Sequence, residues 1–238
     1  MVNIPAGSFK MGCVSGKDCQ DDEKPVHRVN VSAFQMGKTE VTFALWDKCV
    51  ETGGCSHRPD DEGWGRVNRP VINVSYNDIT QEFLPWLNAV TDGGYRLPSE
   101  AQWEHAARAG TSTPFSTGNC ITASQANFNG NYPFEAGGCK QKGKYRKKTL
   151  AVGSFAANSF GLHDMHGNVW ELTADCWNKN YHGAPTDGAV WQSGECSRRV
   201  VRGGSWSNEA RYLRSANRSS SAVSDGSYGG GFRLSRSK

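Results

Sequence analysis

The chain has 238 residues, 37% of them hydrophobic, with 28 Gly, eight Trp and a formal net charge of +4. This length permits one large domain or two small ones, and the modest apolar content among so many glycines predicts an irregular domain of short elements and many turns. Lys and Arg cluster only at residues 144–148, which read as a solvated loop, so no nucleic-acid footprint is present. No apolar run approaches the roughly 18 residues that span a membrane.

Residues 4–12 alternate apolar and small side chains and predict a strand, a turn and a strand. Residues 27–31 form another alternating strand, with Phe34, Gln35 and Met36 after it. Phe43, Trp46, Cys49 and Val50 recur at helical spacing, predicting a helix from about Thr42 to Glu51 that Gly53 and Gly54 end. Asp60, Asp61 and Glu62 read as a solvated acidic turn, and residues 70–74 as a short buried strand. The next helix carries Ile79, Phe83, Trp86, Leu87 and Val90 on its apolar face, and Pro85 kinks or divides it. Ser99 with Gln102 forms a capping box at the start of a third helix, which Gly110 stops. Residues 111–151 are loop, and residues 199–202 are a strand leading into the last segment. No repeat or linker tract divides residues 1–238, which read as one domain.

The last segment, residues 202–234, begins and ends in short strands; the 29 residues from Gly203 to Gly231 include eight Ser and six Gly. A stretch this polar builds no core of its own, and ordered polar loops on a scaffold usually bind something. Tyr among Ser, Gly and Asn is also the composition of paratope loops. The expected ligand-binding residues are Trp206, Ser207, Asn208, Arg211, Tyr212, Arg214, Ser219, Ser220, Ser221, Asp225, Ser227 and Tyr228. Arg218 joins Arg211 and Arg214 as a group able to bind an anionic substrate or to pair with backbone or acids. The expected partner is a protein or other macromolecule.

The cysteines stand at 13, 19, 49, 55, 120, 139, 176 and 196. An even number in a loop-rich chain favours disulfides made in an oxidising compartment. Pairing of nearest neighbours, Cys13–Cys19, Cys49–Cys55, Cys120–Cys139 and Cys176–Cys196, is the simplest connectivity, because each pair brackets a Gly- or Asn-containing loop. No Cys-x-x-Cys or finger-spaced His supports zinc. The expected location is periplasmic, secreted or cell-surface. No signal peptide stands at the start, so a removed leader is expected.

Seven motifs occur in one order: IPAGSFKMG, KTEVTFALW, RPVINVSYND, YRLPSEAQWEHAARAG, FGLHDMHGNVWE, RVVRGGSW and GFRL. In this order and spacing the chain resembles the formylglycine-generating-enzyme (sulfatase-modifying factor) family along nearly its whole length. The resemblance implies an α+β, C-type lectin-like fold with little regular structure, a small antiparallel sheet, a few helices, and a final strand beside the first. Oxidising members bind copper through two cysteines after the GGS motif. Asn208 and Leu213 stand at those positions here, so no copper is expected. A family calcium site carries over as the side chains of Asp164 and Glu171 with the carbonyls of Gly167 and Val169, an oxygen-only set that suits Ca²⁺. The local alternative is that these acids cap and pair without metal. A second family site, beginning at Asn127 and Phe128, has its downstream acid replaced near Lys144. His163 and His166 match a structural turn of the family, and no catalytic residue is assigned.

Two classes of function follow. One is a non-catalytic ligand-binding or display protein, in its strongest form the variable protein of a diversity-generating retroelement, with varied codons in the C-terminal segment. The other is a periplasmic copper-free enzyme of the family, of siderophore-maturation or nonheme-iron type. A third reading is an adaptor domain of a larger signalling protein.

Overall fold

The N-terminal alternation forms β1 (Val2–Ile4), β2 (Gly7–Met11), β3 (His27–Val31) and β4 (Phe34–Met36) in the computed structural model, which describes residues 1–237. β2 and β3 pair antiparallel, from Gly7 opposite Val31 to Met11 opposite His27. A second sheet runs β1, β4, β10 (Ser235–Ser237) and β5 (Tyr95–Arg96). The closing strand thus returns to the N-terminal sheet, but β4 lies between it and the first strand. The third sheet has the order β8 (Arg218–Ala222), β7 (Glu195–Arg202), β6 (Trp170–Trp177) and β9 (Gly230–Phe232). In it β9 runs parallel to β6, and the other pairs are antiparallel.

Helix α1 spans Phe43–Glu51 and buries Phe43, Trp46 and Cys49, the face that its periodicity marks. The Pro85 helix divides as predicted, into α2 (Tyr76–Asp78), a π-turn (Ile79–Phe83) and α3 (Leu84–Ala89). Proline has no N–H and its ring crowds the preceding turn; the widened turn leads into α3 with Pro85 among its first residues, where a missing N–H leaves no helical bond unmade. Val90 does not join the apolar face: it lies beyond the helix end and is 59% exposed. Residues 70–74 bury Val71, Ile72 and Val74 but form no strand beyond one isolated bridge from Pro70 to Thr42. Helix α4 (Glu100–Arg108) has both bonds of the capping box, Ser99 Oγ accepting from the Gln102 amide and Gln102 Oε1 from the Ser99 amide, each at 3.1 Å. Its stop begins at Ala109, already left-handed at φ 45°, one residue before Gly110.

Three buried clusters hold these elements together. Trp46 stacks on Phe83 at 5.1 Å and Phe232 meets both edge-on, joining α1 and the π-turn to the third sheet. Trp103, Ala106 and Ala107 of α4 pack with Ile4, Val29 and Phe34 of the N-terminal strands. Phe115, Phe128 and Phe134, from the long loop, pack with Ala210 and Leu213 of the last segment. The loop of residues 111–151 therefore supplies the core that the last segment lacks. The cysteines pair as nearest neighbours, in the four bridges expected. Among the described residues no helix is long and apolar enough to cross a membrane.

Candidate functional site

The last segment divides into two kinds of side chain. Its arginines at 202, 214, 218 and 233 are fully enclosed, each against a carboxylate from elsewhere in the chain. Arg202 pairs with Glu104, and Arg214 with both oxygens of Glu23 at 2.7 and 2.6 Å. Arg218 grips both oxygens of Glu100 at 2.7 and 2.8 Å, and Arg233 donates to Glu171. Arg214, expected at the ligand surface, is therefore a buried structural residue, as is Arg218. A guanidinium held in two bonds inside the protein is no longer available to a ligand. Trp206 is also largely buried, its Nε1 donating to the Tyr228 carbonyl at 3.1 Å and its ring meeting Trp64 edge-on at 5.2 Å. The turn into it requires glycine: Gly204 has φ +72°, and a Cβ there would lie 2.8 Å from Leu213 Cδ1.

The small polar residues face the other way. Two adjoining cavities, of about 430 and 150 Å³, share Trp170, Ser219 and Ser220 as lining. Asn208 and Tyr212 line the larger; Ser221, Asp225 and Ser227 line the smaller. Seven of the twelve expected ligand residues thus converge on one cleft beside β8, the edge strand of its sheet. The loop carrying Asp225 and Ser227 is tied down by the Asn73 amide on the Ser227 carbonyl and the Asn77 amide on the Val223 carbonyl. Arg211 is not in the cleft. It pairs with Glu209 at 3.1 Å and lines a separate hollow with Tyr132 and Glu135. Ser207 bonds Ser205 Oγ, and Tyr228 is half exposed beside Trp206.

Four residues of the larger cavity carry no signal in the sequence: Gln20, Asp22, Trp170 and Trp177 line it from two distant stretches of chain. Asp22 lies in a single 3-10 turn, Asp21–Glu23, next to the Glu23 that anchors Arg214. Its Oδ1 is enclosed and has no hydrogen-bond partner among the described residues. Burial raises its pKa above the usual carboxylate range against the opposing pull of Arg218. No local pattern distinguishes it from Asp21, whose side chain is fully exposed and pairs with Lys24.

The HGNVWE turn and Asp164 just before it carry the acids expected to hold calcium. Glu171 is occupied: Arg233 and the Trp103 indole both donate to it, the latter at 2.7 Å. Asp164 accepts the Gly153 amide at 2.6 Å. Yet Glu40, Asp164 and Glu171 share this interior with one guanidinium, Arg233. Burial, reinforced by the neighbouring carboxylates, raises the pKa of both Glu40 and Asp164, and Glu40 Oε2 has no partner. Among the described residues no three of His, Cys, Asp and Glu are placed to hold a metal ion, so a calcium site here would consist of Asp164 and Glu171 with main-chain carbonyls, Glu171 being shared with Arg233.

Asn208 and Leu213 offer no thiolate, and all eight cysteines are in disulfides. Asn208 Oδ1 accepts from Ser205 Oγ at 2.7 Å, and Leu213 is core. His166 is enclosed between the Ser116 amide and the Leu213 carbonyl, and burial lowers its pKa to about 4, so it stays neutral. His163 bonds the Phe155 carbonyl. Both histidines serve the turn.

The sequence profile of the sulfatase-modifying factor enzyme 1-like domain matches residues 1–238. The formylglycine-generating enzyme of Mus musculus is 29% identical over 231 residues, covering 76% of this chain and 59% of that enzyme, so the chain spans under two thirds of its length. Among solved structures, PvdO from Pseudomonas aeruginosa superposes with a TM-score of 0.85 at 32% identity, over 99% of this chain and 93% of PvdO. Variable protein 1 of Treponema denticola superposes with a TM-score of 0.77 at 24% identity, over all of this chain and 95% of that one, a likeness of fold.

Proposed function

Since the chain belongs to the sulfatase-modifying factor enzyme 1-like family, we propose that it is a non-catalytic ligand-binding protein that works through the cleft beside β8. The observation that carries this reading is the convergence of Asn208, Tyr212, Ser219, Ser220, Ser221, Asp225 and Ser227 on one cleft, while the arginines of the same segment turn inward. A rigid frame that presents small, exchangeable polar residues with Tyr is the physical design of a paratope. Its partner is a protein or other macromolecule, and its working place is extracytoplasmic, where four disulfides persist.

In its strongest form the segment is diversified by a retroelement, and the fold shared with a variable protein is consistent with that. Sequencing of the gene's 3′ end across a natural population tests it. Substitutions confined to the codons of the cleft residues are expected; an invariant segment would sink diversification.

The second reading is a copper-free enzyme with a dedicated substrate. The sequence likeness to PvdO, greater than that to the variable protein, favours it. In either reading Ca²⁺ neutralises the buried acids of the HGNVWE turn, held by Asp164, Glu171 and the carbonyls of Gly167 and Val169. Millimolar Ca²⁺ is expected to raise the melting temperature over that in chelator, because an ion that binds only the folded state stabilises it; identical curves would remove the ion from this account.

A further inference from the structure

The cleft has a charge character of its own on a chain of formal net charge +4. The charged residues lining its two cavities are Asp22, Asp225 and Arg218. Arg218 is not free to meet a ligand: two of its nitrogens are on Glu100, and the third donates to the carbonyls of Asp22 and Asn178, each at 2.9 Å. Arg198 reaches Ser220 from the neighbouring strand and donates to its hydroxyl at 2.9 Å and its carbonyl at 3.0 Å, but it lines neither cavity. What remains to a ligand is the carboxylate of Asp22 among Trp170, Trp177 and Tyr212, with Asp225 in the adjoining cavity.

We propose that Asp22 is the anchor of this cleft for a cationic group, an ammonium or guanidinium carried on a flat apolar moiety that lies against Trp170, Trp177 and Tyr212. Asp22 as a whole is only partly buried, and a carboxylate on the cleft wall favours a charged donor over a neutral one. Trp170 adds attraction for the same charge, whereas the Trp177 and Tyr212 rings each already carry a guanidinium on one face, Arg218 at 4.8 Å and Arg211 at 4.6 Å. An anionic ligand would meet two carboxylates, with the one guanidinium that lines the cavities held by Glu100. A neutral one would gain nothing from the carboxylate charge. The serines of β8 contribute hydrogen bonds that either sign can use, so the selectivity resides in Asp22.

This inference rests on the cleft being a binding site and adds the sign of its ligand. The test is calorimetric titration of the whole protein with three probes that share a phenol ring and differ in charge: tyramine, tyrosol and 4-hydroxyphenylacetate. Tyramine is expected to bind at least about tenfold more tightly than the other two, the equivalent of one charged contact. Asp22→Asn is expected to abolish that preference, and Asp22→Glu to restore part of it. Asp21→Asn, the same charge change on an exposed neighbour, should leave the preference intact. Three probes bound alike, or the anion preferred, would overturn the anchor while leaving the cleft as a binding site. Tyramine preference that survives in Asp22→Asn would also overturn it. Binding by none of the three would overturn it too. The wild-type series decides the sign even if Asp22→Asn proves unstable.

Discussion

Within one polar segment, Arg202 and Ser219 have opposite fates. Arg202 is enclosed, pairing with Glu104 and donating to the carbonyls of Ser215 and Ala216, whereas Ser219 lies in the open cleft seventeen residues later. The same contrast repeats at Arg214 and Tyr212, and at Arg218 and Ser220. The segment has no apolar core of its own, so its order comes from guanidinium–carboxylate pairs that reach into α4, the 3-10 turn and β6. The residues between those pairs are then free to vary in chemistry without loss of the fold. Charge holds the frame, and the cleft side chains take no part in those pairs.

The most severe way to break this contrast is to remove one carboxylate of the frame. Glu104→Ala leaves Arg202 and Arg108 enclosed without a shared partner, and is expected to cost about 3–5 kcal/mol in denaturant unfolding. A loss below about 1 kcal/mol would mean that the carbonyls together with Glu100, 3.5 Å from its Nε, satisfy Arg202. Next in size is the double substitution Cys176→Ser, Cys196→Ser, which opens the 20-residue loop between β6 and β7. It is expected to cost about 2–4 kcal/mol and to leave the other three bridges in mass-mapped peptides.

A pH profile sharpens the frame further. Asp175 accepts the amides of Glu100 and Trp191, and burial together with nearby Glu100 raises its pKa to about 7. The folded state therefore keeps a proton that the unfolded chain has lost. Its stabilising contribution is complete below about pH 4 and is lost as the pH rises through about 7. Glu100 acts in the opposite sense: burial opposes its charge, but Arg218 and Arg202 outweigh burial and lower its pKa, so its contribution is lost in acid. A decline in stability between about pH 4 and pH 7 that is smaller in Asp175→Asn is the expected result, the remainder coming from Asp22, Glu40 and Asp164, whose pKa values are also raised; a profile unchanged by that substitution would remove Asp175 as a source.

The smallest expected effect on stability is in the cleft. Ser219→Ala and Tyr212→Ala should each stay within about 0.5 kcal/mol of the parent, as surface substitutions do, while weakening any cleft ligand. A cleft residue that costs as much as Glu104 would erase the distinction between frame and surface.

Much of the fold was legible because local chemistry dictated it. The capping box at Ser99, the apolar stripe of α1 and the division at Pro85 are properties of neighbours in sequence, and each reappears in place. Disulfide pairing followed the nearest neighbours because each bridge closes a short loop. The location of the cleft was legible from composition, though its membership was not. Arg211 and Arg214 carry the same side chain three residues apart, yet one is exposed beside Glu209 and the other is enclosed on Glu23. Only the approach of Glu23, distant in sequence, separates them. Asp22 was invisible for the converse reason: it precedes Glu23 in a run of acids, and nothing in that run indicates which carboxylate pairs inward and which faces the cleft.

The sequence by itself therefore determined the helices, the disulfide frame and the polarity of the last segment. These rest on spacing and composition along the chain. The tertiary structure alone decided which polar residues form the frame and which line the cleft. Whether a buried charge is tolerable depends on an opposite charge arriving from elsewhere, and only the folded chain brings Glu23, Glu100, Glu104 and Glu171 to the four arginines.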